Sequence, residues 1–155
     1  MSSPAELSAS ELPMDSTLTG PVLIIGSGLL GASIGLGLRA AGCEDVYVQD
    51  ISPTAEAVAQ DIGAGTSIST LSEQERAALA PQLVVVAAPP DSAGAVCARA
   101  LNTYAPRPET GYPGAVVTDV ASVKVQPLAD VLASGADASR YVGSHPMAGR
   151  EKSGP

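Results

Sequence analysis

Short apolar runs alternate along the chain with longer segments in which apolar positions recur at helical spacing. The short runs are rich in Val, Ile and Leu and predict strands, whereas the periodic segments predict helices. The predicted strands cover residues 21–25, 45–50, 65–70, 82–88, 114–120 and 140–145. The predicted helices cover residues 29–42, 52–63, 71–80, 91–105 and 122–135.

The strict alternation of strands and helices predicts a fold class. Strands joined through helices and short loops specify an α/β fold, a doubly wound and mostly parallel sheet with right-handed crossovers. The run at 82–88 is continuously apolar and stops at two prolines, which is typical of a central strand covered on both faces. Residues 1–19 are rich in Ser, Pro and acidic side chains and are expected to be a flexible tail, with one Rossmann-type domain over residues 20–155.

Local capping signals support two of the predicted helix starts. Ser52 is followed by Pro53, a pair that suits an N-cap and the first helical position. Ser72 and Glu75 have the spacing of a capping box. The helix over 122–135 is expected to be interrupted or to begin near Pro127.

Composition and charge narrow the class of protein. The 155 residues suit about one domain, and a formal charge of −8 disfavours nucleic acid and anionic lipid as partners. Cys43 and Cys97 are far apart, without a CxxC or Cys/His cluster, so no disulfide framework or metal site is expected and a reducing cytoplasm fits. The N-terminus lacks signal-peptide features, and no apolar run approaches the ~20 residues that cross a bilayer.

The strongest local motif is GSGLLG, which follows the first predicted strand and opens the first predicted helix. In a dinucleotide-binding turn, Gly26 permits the sharp turn, Gly28 admits the pyrophosphate and Gly31 allows close packing of helix and strand. The helix N-terminus then offers free N–H groups to the phosphates. Glycines also serve ordinary turns, which is the alternative reading. The candidate cofactor contacts in this motif are Gly26, Ser27, Gly28, Leu29, Leu30 and Gly31.

Asp50 ends the second predicted strand, where a carboxylate can accept hydrogen bonds from both hydroxyls of an adenosine ribose. The residues that follow it bring no Arg or Lys for a 2′-phosphate, so NAD is favoured over NADP. Alternatively, Asp50 only joins Ser52 at the start of the next helix.

Two more candidate segments follow predicted strands and so reach the same edge of the sheet. Ala88 and Pro89 follow the central strand and could contact the cofactor, or could simply end the strand and start a helix. In VTDVASVK, Asp119, Ser122 and Lys124 could face the nicotinamide, although Ser122 could equally cap a helix and Lys124 be a solvated charge.

His145 is the single histidine of the chain and follows the last predicted strand. A neutral imidazole can take a proton from an alcohol at physiological pH, which a dehydrogenase acting on a carbinol requires. The alternative is a hydrogen-bonded structural histidine.

Together, GSGLLGASIGLGLR, VTDVASVK and VGSHPMAGREKSG resemble, in order and spacing, the prephenate dehydrogenase family, which includes arogenate dehydrogenases. The resemblance covers roughly residues 21–155, the family's nucleotide-binding half. It implies NAD(P)-dependent oxidative decarboxylation of prephenate to 4-hydroxyphenylpyruvate, or of arogenate to tyrosine, in tyrosine biosynthesis. It also implies that His145 is the catalytic histidine and Ser122 an active-site serine near the nicotinamide.

Family members continue into a helical domain that forms a homodimer and supplies groups for the substrate's carboxylates. We therefore expect these 155 residues alone to bind NAD weakly and to turn over little or no substrate. Two other readings stay open: a non-catalytic dinucleotide-binding module, and another Rossmann oxidoreductase such as a β-hydroxyacid dehydrogenase, which does not predict SHPMAG. Whether prephenate or arogenate is the substrate stays open as well.

Overall fold

The structure, a computed structural model, describes residues 18–146 as six strands and five helices. The strands are β1 Val22–Ile25, β2 Val46–Gln49, β3 Thr66–Ser67, β4 Leu83–Val86, β5 Val116–Asp119 and β6 Tyr141–Gly143. The helices are α1 Leu29–Ala40, α2 Pro53–Asp61, α3 Glu73–Ala78, α4 Pro90–Thr103 and α5 Val125–Ala133. Short 3₁₀ turns lie at Ile68–Thr70, Pro108–Thr110 and Ala138–Arg140.

The strands form one sheet in the order β3-β2-β1-β4-β5-β6, and every neighbouring pair is parallel. The register sets Ile25 opposite both Gln49 and Val86, and Asp119 opposite both Val86 and Gly143. The carboxyl ends of the five longest strands therefore lie level. Because the chain order reverses between β1 and β4, a crevice is expected at that edge of the sheet.

Side chains alternate between the two faces of the strands and build two core layers. Val22 and Ile24 pack in the layer that contains residues of α1 and α2. Leu23, between them, packs in the other layer, which contains residues of α4 and α5. Helices cover both faces of the sheet, which explains why the strand sequences are continuous apolar runs and not an alternation of apolar and polar residues.

The predicted α/β class and the alternation of strands and helices are confirmed, and the strands are shorter than predicted. Helix α1 begins at Leu29 as predicted, α3 and α5 begin two and three residues later than predicted, and α4 begins one residue earlier. Ser52 accepts a hydrogen bond from the backbone N–H of Ala55, and Ser72 with Glu75 forms the predicted capping box. Helix α5 begins at Val125, and its N-cap is Lys124, so the reading of Ser122 as a helix N-cap is wrong. Residues 1–17, which belong to the predicted tail, and residues 147–155, which include the rest of the last motif, lie outside the described residues.

Within residues 18–146, no helix combines the length and the apolar character needed to span a membrane. Both cysteines are free thiols, with Cys97 buried and Cys43 half-buried.

Helix α1 lies unusually close to the chain segment that enters β3. A Cβ placed on Gly35 would lie 2.3 Å from the carbonyl oxygen of Ala64, so only glycine fits there without a shift of the helix. Gly37, two residues further along α1 and on its exposed side, has nothing within 4 Å of an added Cβ.

We expect Gly35→Ala to lower the free energy of unfolding by about 1–3 kcal/mol, because the added methyl overpacks a rigid backbone contact. Gly37→Ala is the control: it adds the same methyl to the same helix in open space, and should be neutral or stabilising by up to ~1 kcal/mol. Urea denaturation of both variants measures the difference. Equal stabilities would contradict the packing explanation.

Candidate functional site

The turn between β1 and α1 is built around two close backbone approaches. Gly26 has φ +99°, and a Cβ there would lie 2.4 Å from the carbonyl oxygen of Ala87. A Cβ on Gly31 would lie 1.8 Å from the carbonyl oxygen of Gly26. These contacts press the first turn of α1 against the ends of β1 and β4, at the point where the chain order reverses.

Gly28 is the N-cap of α1, and no side chain caps this helix. Nothing lies within 4 Å of a Cβ placed on Gly28, and Leu29 beside it is 91% exposed. The positive end of the helix dipole therefore opens onto free space bordered by backbone. Such a helix end can bind a phosphate group through its N–H groups.

Asp50 is bonded to the same turn rather than pointing away from it. Its Oδ2 accepts hydrogen bonds from the backbone N–H of Ser27 at 2.6 Å and from the Ser27 hydroxyl at 2.9 Å. Its Oδ1 accepts one from the N–H of Ser52 at 2.8 Å. Burial alone would raise the pKa of Asp50, but these hydrogen bonds outweigh it and hold the pKa below its ordinary value. The Asp50 side chain thus binds the backbone of Ser52, as the alternative interpretation from the sequence predicted. It also fixes the glycine turn through Ser27.

Behind Asp50 lies Glu56, a buried carboxylate at the start of α2 that is only 2% exposed. Its Oε2 accepts a hydrogen bond from the backbone N–H of Asp50 at 2.9 Å. Its Oε1 accepts from the Ser67 hydroxyl and, at 3.0 Å, from the N–H of Ser69. Burial opposes ionisation, yet these bonds hold the pKa of Glu56 below its ordinary value. Glu56 therefore fixes the end of β2 against the end of β3.

A cleft of about 1010 Å³ opens beside the glycine turn, a volume at the upper end of small-molecule sites. Asp50 and the fully exposed Ile51 border it on one side, and Pro89 and Ser92 come from the start of α4. The cleft is lined by most of the cofactor candidates: Gly26, Gly28, Leu29, Leu30, Gly31, Asp50, Ala88 and Pro89. Ser27 instead lines a shallower depression between α1 and α2.

Two arginines that sequence reasoning missed also line the cleft. Arg76 comes from α3 and Arg99 from α4, so both lie far along the chain from Asp50. Neither forms an ion pair with residues 18–146. Asp50 is the one acidic residue among the described residues of the lining. The helical spacing of Ser92, Val96, Arg99 and Thr103 was the available signal, since it places them on one face of α4.

Ser122 and His145 follow β5 and β6 and are both exposed, but neither lines the cleft. The two lie at the same edge of the sheet, because Asp119 and Gly143 are paired at the ends of these strands. The His145 side chain makes no hydrogen bond with residues 18–146.

Lys124 is paired with Asp119, which corrects the reading of this lysine as a solvated charge. Asp119 itself is fully buried rather than directed at the crevice.

The strand order and the glycine turn at its switch point define a Rossmann-type nucleotide-binding domain. The chain belongs to the prephenate dehydrogenase family, since the model of that family's nucleotide-binding domain matches residues 34–155.

Individual relatives agree with this assignment. The chain is 38% identical over 133 residues to a probable prephenate dehydrogenase, NovF, of Streptomyces niveus, covering 86% of this chain and 32% of that protein. It is 32% identical over 135 residues to a prephenate dehydrogenase of Lactococcus lactis, covering 86% of this chain and 35% of that protein. The chain thus spans about a third of the length of these two relatives.

Among solved structures, the chain resembles prephenate dehydrogenase from A. aeolicus, determined in complex with hydroxyphenyl propionate and NAD+. The TM-score is 0.66 at 29% identity, over 90% of this chain and 46% of that one.

The hydrogen bonds around Glu56 predict a pH-dependent stability. Because its pKa is lowered in the folded protein, its contribution is present above the ordinary glutamate pKa of 4.5 and is lost as the pH falls below that value. Glu56→Gln should lower the free energy of unfolding at pH 7 by about 1–3 kcal/mol. Urea denaturation at pH 7 and at lower pH should show a shallower acid dependence in the variant than in the wild type. The same acid dependence in both proteins would contradict this role.

Proposed function

We propose that this chain is the NAD-binding part of a prephenate dehydrogenase, an oxidoreductase that converts prephenate to 4-hydroxyphenylpyruvate in tyrosine biosynthesis. The observation that carries the proposal is the juxtaposition of the open glycine turn with Asp50 beside one cleft, in a chain of this family. The relative solved with NAD+ supports the choice of cofactor.

The residues present suit NAD. The N-terminus of α1 with Gly26, Ser27, Gly28, Leu29, Leu30 and Gly31 would hold the pyrophosphate. Asp50 would accept hydrogen bonds from the adenosine ribose, since each carboxylate oxygen offers more than one acceptor position. Ala88 and Pro89 would border the cofactor where it passes β4, and Ser122 would lie near the nicotinamide.

Bound NAD would supply the hydride acceptor of the reaction, C4 of the nicotinamide, for the hydride on the ring carbon that bears the substrate hydroxyl. His145 would take the hydroxyl proton as the hydride leaves, and the ring carboxylate would leave as CO2 while its bonding electrons complete the aromatic ring. The resulting phenolate oxygen would then take the proton back, which gives the phenol of the product and returns His145 to its neutral form. His145 therefore acts as the proton acceptor and polarises the hydroxyl. Ser122 aligns the substrate with the nicotinamide and the imidazole.

Further parts of this proposal concern the whole protein. The substrate is a small molecule, prephenate in the first place and arogenate as the alternative. The resemblance to the family implies a homodimer formed through a further domain, and the two free thiols suit the cytoplasm.

Asp50→Ser should change the cofactor preference toward NADP. The variant loses charge-assisted bonds to the ribose, worth about 1.5–3 kcal/mol, so the Kd for NAD should rise at least tenfold. The Kd for NADP should fall, since the remaining charged groups among the described residues of the cleft are Arg76 and Arg99. Calorimetric titration of each cofactor measures both values.

Asp45→Ser is the matched control for this measurement. It removes the same charge from an exposed residue just before β2, at the opposite edge of the sheet. An equal change in cofactor preference in both variants would show a general effect of net charge and would overturn the assigned role of Asp50.

His145→Asn should lower kcat by about 10²–10⁴-fold, the usual contribution of a positioned acid or base, with the Kd for NAD unchanged. The measurement is NADH formation by the full-length product of the gene, with prephenate and arogenate assayed separately. If wild-type protein binds NAD but turns over neither substrate, the non-catalytic binding module is the better description.

A further inference from the structure

Asp119, the last residue of β5, is a fully buried carboxylate enclosed by hydrogen-bond donors. Its Oδ1 accepts hydrogen bonds from the ammonium group of Lys124 and from the backbone N–H of Ala121, the latter at 3.0 Å. Its Oδ2 accepts from the hydroxyl of Tyr141 at 2.5 Å. The side chain thus reaches both the loop that follows β5 and the first residue of β6.

The main chain of Asp119 makes a second connection to β6. Its carbonyl oxygen accepts hydrogen bonds from the backbone N–H of Ser144 at 3.0 Å and from the Ser144 hydroxyl at 2.8 Å. Ala121 immediately precedes Ser122, and Ser144 immediately precedes His145. One residue therefore restrains the backbone on the amino side of both side chains to which the proposed function gives catalytic roles.

The network around Asp119 is closely packed. A Cβ placed on Gly143 would lie 3.1 Å from Cδ of Lys124 and 3.6 Å from Oδ2 of Asp119, so a larger residue would press on the ion pair. Burial, followed by the hydrogen bond to Asp119, raises the pKa of Tyr141, which keeps its phenol protonated as a donor. Burial likewise raises the pKa of the Cys97 thiol to about 12, so the neighbouring thiol stays neutral.

Stability alone is a weak reason for this arrangement. The ion pair adds little stability, because solvent screens the partly exposed Lys124 while the burial of Asp119 costs desolvation that offsets the attraction. The charged cluster instead restricts geometry. Lys124, Ala121 and Tyr141, which come from two separate segments, must donate to one carboxylate at fixed angles.

We propose that Asp119 is a positioning residue, which sets Ser122 and His145 in register with each other through the donors Ala121, Tyr141 and Ser144. This inference rests on the proposed function for the roles of Ser122 and His145. Because Asp119 is fully buried, it would act through the two loops that it joins rather than by contact with the substrate or the cofactor.

The test compares Asp119→Asn and Tyr141→Phe with Tyr112→Phe as the matched control. The Tyr112 hydroxyl also donates one hydrogen bond, but its acceptor is the backbone oxygen of Pro81, at 2.7 Å, and it lies away from the carboxyl edge of the sheet. Each Tyr→Phe change removes one hydrogen bond donated by a tyrosine hydroxyl. Comparison of the two variants therefore separates a general loss of stability from a displacement of Ser122 and His145. Tyr141→Phe also keeps the carboxylate paired with Lys124, in case Asp119→Asn does not fold.

The first readout is the NMR spectrum of the labelled chain, in which the imidazole signal is unambiguous because the sequence has one histidine. Asp119→Asn and Tyr141→Phe should change the chemical shifts of Ser122 and His145. The chemical shifts of residues 26–31 and of Asp50 should stay unchanged. Tyr112→Phe should leave all of these signals unchanged. Unchanged signals of Ser122 and His145 in Tyr141→Phe would overturn the proposal.

The second readout is turnover by the full-length protein. Tyr141→Phe should lower kcat roughly tenfold or more, since a displacement of about 1 Å at reacting groups can cost a hundredfold, with KM for NAD within about twofold. Equal losses in Tyr141→Phe and Tyr112→Phe would overturn the positioning role. If wild-type protein turns over neither substrate, the proposed function fails, whereas the NMR readout still decides whether Asp119 sets the two loops.

Discussion

The contact on which this structure depends is the approach of helix α1 to the end of β1. The space between Gly31 and the Gly26 carbonyl leaves no room for a side chain, and a Cβ at Gly26 would collide with the backbone after β4. Because of this contact, the first turn of α1 lies directly over the point where the strand order reverses. If α1 lay further from the end of β1, the positive end of its dipole would lie away from the crevice, and the cleft would have no phosphate-binding edge.

Three carboxylates organise the polar edge above this apolar framework. Asp50 fixes the glycine turn to the end of β2, Glu56 fixes β2 to β3, and Asp119 fixes the loop after β5 to the first residue of β6. Each accepts its hydrogen bonds mainly from loops rather than from strands. The loops at the carboxyl edge are thus held by fixed acceptors, which suits a site that must present several groups at defined positions.

The sequence predicted the fold well because its signals were local and mutually consistent. Uninterrupted β-branched runs, the cap at Ser52 and the capping box at Ser72 depend on neighbouring residues only, and all appear in the structure. The alternatives of Lys124 as a solvated charge and of Ser122 as a helix cap were wrong, because the buried carboxylate of Asp119 binds the lysine and the loop that contains Ser122. Arg76 and Arg99 were missed because the opposite side of the cleft comes from segments far away in the chain. Glu56 was missed because its partners Asp50 and Ser67 are brought together only by the pairing of β2 with β3.

What the sequence determined by itself was the α/β class, the order of its elements, the glycine turn and the arrival of Asp50, Ser122 and His145 at one edge of the sheet. These follow from periodicity and from the rule that parallel strands end at a common edge. Only the tertiary structure decided which of these side chains share a cleft and which carboxylates are buried. Those outcomes depend on the strand order and on packing between distant segments, for which local sequence carries no signal.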